Sequence, residues 1–197
     1  MIGSGQGAGD EGALEATRHS MVVSWALLST SVTAIEDLLA RNAARSGTGP
    51  GLLPSPPALR VAVVACMDAR LDPVQLLGLR PGEAHVIRNA GGVVTDDVIR
   101  SLAVSQRKLG TTEVLLLHHT KCGMATFTDE DFWSELQGAA GLRPTWSVET
   151  FRDTESDVRQ SVERVRRSAF LANTTAVRGF VVDITTGDLD EVISSQA

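Results

Sequence analysis

Continuous apolar runs alternate along the chain with segments whose apolar residues recur at helical spacing. Residues 61–65 (VAVVA), 113–118 (EVLLLH) and 177–184 (VRGFVVDI) are continuous runs of mostly aliphatic residues. This pattern is typical of strands that are buried on both faces of a parallel sheet. Residues 84–87 predict a shorter strand, and a turn sequence before Val192 predicts a short return strand near that residue.

Helices are predicted between these strands. Thr95 is a suitable N-cap for a helix with a regular apolar stripe, and Gly110 is a suitable stop signal for it. A second helix should begin after Thr128, and a third should cover residues 155–170 with Phe170 on its apolar face. Strands that alternate with helices predict an α/β fold, with a mainly parallel β-sheet flanked by helices.

The chain before the first strand has a different character and predicts an N-terminal helical arm. Residues 1–30 begin with a Gly- and Ser-rich stretch and are expected to be disordered, or to form an extension of the folded protein. Thr33 and Glu36 form a capping-box pattern that predicts the start of a helix. Residues 31–57 are therefore interpreted as a helical arm with a Pro/Gly linker, and residues 58–197 as the α/β domain.

Composition excludes several classes of function. The chain has 197 residues and a formal net charge of -6, so it has no overall basic surface for nucleic acid or for an anionic membrane. No apolar run approaches the roughly 20 residues that a membrane-spanning helix needs. The apolar stretch 21–28 lacks the cleavage pattern of a secretory signal, so a cytoplasmic protein is expected. With only two cysteines, metal binding or catalysis is a better interpretation than a disulfide framework.

The chemically unusual residues follow two of the predicted strands. Cys66, Asp68 and Arg70 follow the predicted strand 61–65. His119 and Cys122 follow the predicted strand 113–118. Since α/β proteins bind ligands at the carboxyl ends of their strands, these side chains should lie at the same edge of the sheet.

Thiolate and imidazole ligands together suit zinc. The spacing of His119 and Cys122 lets one loop or first helical turn present both side chains to one ion, and Cys66 would join them from the neighbouring strand. Either motif alone is better explained by a buried structural cysteine and a surface histidine, but their combination at adjacent strand ends favours a metal site. Three protein ligands leave one position open, which is typical of catalytic zinc. His118 should face the opposite side of the strand, and the glycines at 91 and 92 allow close backbone approach beneath the site.

Three segments resemble the β-class carbonic anhydrases, in particular their short bacterial members: VACMDARLDP, HVIRNAGGVVTDDVIRSLAVSQRKLGT and LLLHHTKCGM. The resemblance covers roughly residues 38–192. It implies a carbonic anhydrase, a zinc lyase that reversibly hydrates carbon dioxide to bicarbonate and a proton by zinc-bound hydroxide. It also implies a homodimer or higher homo-oligomer that is built by exchange of N-terminal helices.

The resemblance further implies one Zn²⁺ per chain, held by Cys66, His119 and Cys122, with Asp68 either a fourth metal ligand or released. Asp68 and Arg70 would form the catalytic dyad. Two other functions stay open on the same residues. One is hydrolysis of carbonyl sulfide or carbon disulfide on this scaffold, and the other is a non-catalytic zinc-binding or redox-sensing role. The presence of both Asp68 and Arg70 argues against the non-catalytic role, because a structural zinc does not need that pair.

Overall fold

The computed structural model describes residues 32–193. The expected extension, residues 1–30, lies outside these residues. The chain divides into two compact units, of which the first ends at Gly49 and the second begins at Pro50. The limits drawn from the sequence after residues 30 and 57 stay predictions. None of the helices between residues 32 and 193 is both long and apolar enough to cross a membrane.

The described part of the first unit contains helix α1 (Ala34–Ala44), which confirms the predicted helix. Its capping box is complete, since the hydroxyl of Thr33 accepts a hydrogen bond from the backbone N–H of Glu36 at 3.2 Å, and the Glu36 carboxylate accepts one from the Thr33 N–H at 2.7 Å. No residue of α1 is buried. The apolar side chains on the helix are exposed instead: Ile35, Leu38 and Leu39 have exposed fractions of 70%, 60% and 63%.

The second unit is an α/β domain in which strands and helices alternate. In chain order its elements are β1 (Val61–Cys66), α2 (Pro73–Leu76), β2 (Ala84–Asn89), α3 (Asp96–Leu109), β3 (Glu113–His119), α4 (Asp129–Ala140), α5 (Thr154–Arg166), β4 (Val177–Val182) and β5 (Leu189–Glu191). Single 3-10 turns, Ala90–Gly92 and Gly123–Ala125, follow β2 and the loop after β3.

The five strands form one sheet in the order β2-β1-β3-β4-β5. The first four strands of this order are parallel, and β5 is antiparallel to β4. This confirms the predicted mainly parallel sheet with flanking helices. Because β1 lies between β2 and β3, Cys66 is paired with Asn89 on one side, and Ala65 is paired with Leu117 on the other. The carboxyl ends of β1 and β3 therefore meet at one edge.

Both faces of the sheet are covered, which explains the continuous apolar runs in the strands. Val64 of β1 packs with apolar residues of α3 and α5 on one face, including Val98, Leu102, Val158 and Val162. The neighbouring residues Val63 and Ala65 point to the other face. There they pack in a cluster with Leu71, Met124 and Phe151, which come from the segments between the strands.

Two predicted ends differ from the observed ones. Helix α5 ends at Arg166, and Phe170, which was predicted on its buried face, lies beyond the helix and is 71% exposed. Strand β4 ends at Val182 because Asp183 begins a tight turn, in which the N–H of Gly187 donates to the Asp183 carbonyl at 2.8 Å. Apolar residues continue beyond the last residue of α5 and of β4, so the apolar pattern alone predicted both elements to be too long.

Candidate metal centre

Cys66, His119 and Cys122 come together at the carboxyl edge of the sheet, as the sequence predicted. Cys66 is the last residue of β1, His119 is the last residue of β3, and Cys122 follows in the next turn. All three side chains are buried. The two sulfur atoms are 3.8 Å apart, and the potential ligand atoms of the three residues lie within 4.8 Å of one another.

The imidazole of His119 is oriented so that one nitrogen is left for a ligand. Its Nδ1–H donates a hydrogen bond to the carbonyl of Thr120 at 2.9 Å, which leaves Nε2 without a proton. Nε2 is buried and has no hydrogen-bond partner. A buried polar atom without a hydrogen-bond partner is rare and costly. In metal-bound histidines, the nitrogen that does not bind the metal commonly donates its N–H to a carbonyl, as Nδ1 does here. This orphaned nitrogen beside two sulfurs fits a zinc ion.

The two thiols affect each other's pKa in opposite directions. A hydrogen bond from the Cys122 thiol lowers the pKa of Cys66 despite burial, and the same hydrogen bond, together with burial, raises the pKa of Cys122. Burial lowers the pKa of His119, but the nearby Cys66 sulfur and the hydrogen bond to the Thr120 carbonyl outweigh burial and raise it. A thiolate ligand must be deprotonated, so metal binding at this cluster is coupled to proton release.

Asp68 lies beside the cluster and is held by Arg70. The backbone N–H and the Nε of Arg70 both donate to Oδ1 of Asp68 at 2.9 Å, and its Nη2 donates to Oδ2 at 2.7 Å. These hydrogen bonds hold the pKa of Asp68 well below its usual range. The Oδ2 atom is 3.7 Å from Nε2 of His119. An ionised carboxylate is thereby fixed next to the candidate metal ligands.

Lys121 connects this pair to the loop that carries Cys122. Its φ of 55° is in the left-handed region, which is unusual for a residue other than glycine. The Lys121 carbonyl accepts a hydrogen bond from Nη2 of Arg70 at 3.1 Å. The side chain of Lys121 is exposed. Lys121 therefore acts through its backbone, a role that the sequence left undecided.

Arg88 is a site residue that the sequence analysis missed. From β2 it donates hydrogen bonds to the carbonyls of Cys66 at 3.1 Å, Asp68 at 2.8 Å and Leu71 at 2.7 Å. It thus holds the loop after β1 at three points. The sequence carried only a weak signal for this role, because Arg88 shares its strand (AHVIRN) with two other polar residues, His85 and Asn89.

Gly92 and a cavity define the surroundings of the cluster. A Cβ added to Gly92 would lie 2.8 Å from the Cys66 backbone nitrogen, which confirms the close backbone approach expected at this glycine. A cavity of about 760 Å³ opens onto Cys66, Asp68 and Cys122. Its wall is largely apolar and includes Phe127, Phe132, Trp146 and Val148.

His118 lies on the face of the sheet opposite to His119, as expected for consecutive strand residues. It is fully buried, and its Nε2 is 2.6 Å from Oδ2 of Asp157 on α5.

These features define an α/β protein with a Cys-His-Cys cluster that is suited to a metal ion and an adjoining Asp–Arg pair. The family model for carbonic anhydrase matches residues 61–189, and the chain belongs to the β-carbonic anhydrase family. This confirms the family that the sequence motifs indicated.

The comparisons with individual proteins agree with this family. The chain is 56% identical over 161 residues to beta-carbonic anhydrase 1 of Mycobacterium tuberculosis, which covers 82% of this chain and 99% of that protein. It is similar to the crystal structure of carbonic anhydrase from Streptococcus mutans, with a TM-score of 0.74, 39% identity, and coverage of 81% of this chain and 96% of that one. It is also 32% identical over 151 residues to a carbon disulfide hydrolase of Acidithiobacillus thiooxidans, covering 66% of this chain and 75% of that protein.

Proposed function

We propose that this protein is a zinc-dependent carbonic anhydrase that reversibly hydrates carbon dioxide to bicarbonate and a proton. The observation that carries the proposal is the buried Nε2 of His119, which has no partner and lies beside the sulfurs of Cys66 and Cys122. The Asp68–Arg70 pair next to this nitrogen supports a catalytic site rather than a structural one. The 56% identity to a mycobacterial beta-carbonic anhydrase agrees with it.

Cys66, His119 and Cys122 would hold one Zn²⁺ per chain. Three protein ligands leave a fourth position open. When bound, the zinc would act as a Lewis acid and supply hydroxide, mainly above neutral pH, by lowering the pKa of a water molecule. The hydrogen bond from His119 to Thr120 fixes the imidazole in the tautomer that this role requires.

Asp68 would orient the reacting water through its carboxylate. It stays ionised because Arg70 donates three hydrogen bonds to it, and an ionised carboxylate only accepts hydrogen bonds. If Arg70 releases it, the Oδ2 atom, 3.7 Å from Nε2 of His119, is near enough to take the fourth position itself. Asp68 would then be a fourth ligand and the site would be closed, so Arg70 acts as the residue that keeps the site open.

The apolar wall of the cavity suits an uncharged linear substrate. Phe127, Phe132 and Val148 offer carbon dioxide no competing hydrogen-bond donors. Asp68 and Arg88, which also line the cavity, provide the polar side on which a bicarbonate anion and a proton can leave. The site thus combines an apolar approach with a charged exit.

Metal content tests the ligand set. Purified, reduced protein should contain close to one zinc per chain, and Cys66→Ser, Cys122→Ser and His119→Gln should each lose most of it. The matched control is His85→Gln, because His85 is a histidine whose Nδ1 contacts Ser105 at 2.8 Å, outside the cluster. Protein that holds far less than one equivalent after zinc reconstitution would overturn the proposal.

Hydrolysis of carbon disulfide or carbonyl sulfide is the second candidate function. The relative from Acidithiobacillus thiooxidans is named a carbon disulfide hydrolase, and a wide cavity does not exclude these linear molecules. Sulfide release and carbon dioxide hydration, measured on the same zinc-loaded sample, separate the two candidates. Rapid sulfide release with negligible carbon dioxide hydration would favour the second one.

The protein is proposed to be a homodimer or higher homo-oligomer. Ile35, Leu38 and Leu39 of α1 expose more than half of their surface, and such apolar faces mark interaction sites. Light scattering at micromolar concentration should give at least twice the mass of the chain. A monomer would contradict this assembly.

A cytoplasmic location is proposed as well. Both cysteines are free and buried in the cluster, and they must stay reduced to bind a metal. The cytosol keeps thiols reduced, whereas secreted proteins tend to form disulfides. Cell fractionation with an antibody against the protein tests this location, and recovery outside the cytosolic fraction would contradict it.

A further inference from the structure

A buried ionisable pair lies on the far side of the sheet from the metal cluster. His118 immediately precedes His119 in β3 and is fully buried. Its Nε2 is 2.6 Å from Oδ2 of Asp157, which is itself buried on α5. The ring also packs against Phe151, with 5.7 Å between the ring centroids. The proposed reaction makes no use of either His118 or Asp157.

The contacts of the ring define which nitrogen carries the proton. Nδ1 of His118 is buried and has no hydrogen-bond partner. A proton on Nδ1 would therefore be a buried donor without an acceptor, which is strongly unfavourable. The proton belongs on Nε2, where it is donated to the Asp157 carboxylate. Nε2–H thus donates a charge-assisted hydrogen bond to the carboxylate.

A glycine in the sheet brings Asp157 to this position. Gly179 of β4 is paired with Leu116 of β3, and it faces α5. A Cβ at Gly179 would collide with the side chain of Val158 and lie 3.1 Å from Cγ2 of Val162. Since Gly179 has no side chain, α5 packs directly onto the sheet, and the residue before Val158 reaches the end of β3.

Stability alone is a poor explanation for this pair. A buried charged group costs desolvation, and well-packed apolar residues of the same volume often stabilise a protein as well or better. The pair does restrict the orientation of this strand end. The ring of His119 makes one hydrogen bond, to the carbonyl of the adjacent Thr120, and Thr120 is itself held by β4, because its N–H donates to the Val182 carbonyl at 2.9 Å. Asp157 belongs to α5, so it ties the same strand end to an element outside the sheet.

We propose that His118 and Asp157 are positioning residues that anchor the end of β3 to α5 and so direct Nε2 of His119 toward Cys66 and Cys122. The inference rests on the proposed function, since it concerns the same metal cluster. Consecutive strand residues share one peptide unit, so an anchor on His118 limits the rotation of His119 on the opposite face.

Cobalt(II) binding to the full-length, reduced protein tests the proposal. Asp157→Ala should weaken the apparent affinity for cobalt, measured by competition with a chelator, by about 10- to 100-fold. It should also change the visible absorption bands of the bound cobalt, which report ligand geometry. Asp157→Asn keeps an oxygen acceptor for Nε2–H and should restore most of the affinity and the spectrum.

Val162→Ala is the matched control for general loss of stability. Val162 is buried on the same helix and packs in the core beside Val158 and Val165. It should lower the melting temperature and leave both the cobalt affinity and the spectrum unchanged. If Val162→Ala weakens cobalt binding as much as Asp157→Ala does, or if Asp157→Ala changes neither readout, the positioning role is wrong.

The unaltered protein gives a second readout should Asp157→Ala not fold. Nitrogen-15 NMR of the His118 ring should show a protonated Nε2 and an unprotonated, acceptor-type Nδ1. A neutral ring with its proton on Nδ1 would overturn the proposal, because Nε2 could not then donate to Asp157. If the unaltered protein binds neither cobalt nor zinc, it is the proposed function that fails, whereas equal binding by all variants contradicts the positioning role alone.

Discussion

Arg70 donates three hydrogen bonds to one carboxylate, one from its backbone N–H and two from its guanidinium, and the guanidinium donates another to the carbonyl of Lys121. This arrangement places the charge of Asp68 beside the cluster without adding it to the three buried ligand atoms. At the scale of single residues, different residues would therefore hold the metal and activate the water in the proposed function.

Asp68→Asn and Arg70→Ala should lower carbon dioxide turnover by about 100-fold or more, while zinc content stays near normal. Three ligands suffice to hold the metal, whereas turnover needs the ionised, oriented carboxylate. Stopped-flow hydration and metal analysis of the same samples check this. Arg80→Ala is the matched control, because Arg80 forms a similar contact with Glu83 outside the cluster. Full activity in Asp68→Asn would remove Asp68 from the mechanism.

The backbone at Lys121 is a second test at this scale. An L-residue at φ 55° carries strain that glycine does not, of roughly 1–2 kcal/mol. Lys121→Gly should therefore leave the free energy of unfolding unchanged or raise it by up to about 1 kcal/mol. Lys121→Val should lower it by about 1–3 kcal/mol, because a β-branched residue tolerates this region least. Urea denaturation measures both, and equal stability of the two variants would contradict the strain.

At the scale of elements, Gly179 sets the distance between α5 and the sheet. Gly179→Ala should lower the free energy of unfolding by about 1–3 kcal/mol, because the added methyl group overpacks the contact with Val158. Gly138→Ala in α4 is the control, since nothing lies within 4 Å of its added Cβ. There the helix should be stabilised by about 0.5–1 kcal/mol. A tolerated Gly179→Ala would show that α5 can move away from the sheet at little cost.

Asp129, the first residue of α4, organises the segment that forms one wall of the cavity. Its carboxylate accepts hydrogen bonds from the backbone N–H groups of Val148, Glu149 and Thr150 and from the hydroxyl of Ser147. Burial raises the pKa of Asp129, but the hydrogen bonds from Thr150 and its neighbours outweigh burial and lower it. The folded state therefore favours the ionised form.

Asp129→Ala should lower the free energy of unfolding by about 1–3 kcal/mol at pH 7. A carboxylate whose pKa is lower in the folded state stabilises the protein above its unfolded pKa, about 3.9, and that contribution is lost as pH falls through the folded pKa. The difference from the unaltered protein should thus persist at pH 5–7 and shrink below about pH 4. Urea denaturation at several pH values measures it. Asp131→Ala, which removes a single hydrogen bond that the carboxylate accepts from the Thr128 hydroxyl, should show a much smaller difference.

The elements that the sequence predicted best are those with a local physical signature. Strands β1 and β3 are buried on both faces, so their continuous apolar runs predicted them. The Thr95 cap and the Gly110 stop predicted both ends of α3 to within a residue. The short helix α2 escaped prediction because four residues carry no periodicity. The end of α5 was missed because apolar spacing continues to Phe170 after the helix has stopped.

The candidate site divides in the same way. The meeting of Cys66 with His119 and Cys122 was predictable, since the ends of adjacent parallel strands must share an edge. The roles of Arg88 and of the Lys121 carbonyl were not, because their partners are backbone atoms that any residue provides. A sequence pattern records the types of side chain and contains no trace of such contacts.

At the scale of the whole molecule, the strand order β2-β1-β3-β4 brings both cysteines to the edge of the sheet where the parallel strands end. A cavity opens at the same edge, with a largely apolar lining that also includes Asp68 and Arg88. The fold therefore brings together three candidate metal ligands, a carboxylate and an access route, and we propose that together they hydrate carbon dioxide.

Stopped-flow hydration of carbon dioxide by reduced, zinc-loaded protein from pH 6.5 to 9 tests that claim most directly. Two thiolate ligands offset the charge of zinc, so water should be acidified less than at a three-histidine site, where its pKa is about 7. The catalysed rate should therefore rise from about pH 7 toward pH 8.5 or above. His119→Gln, assayed beside it, should lose this rate. A rate no higher than the buffer background, or one that is flat or falling over this range, would contradict the account.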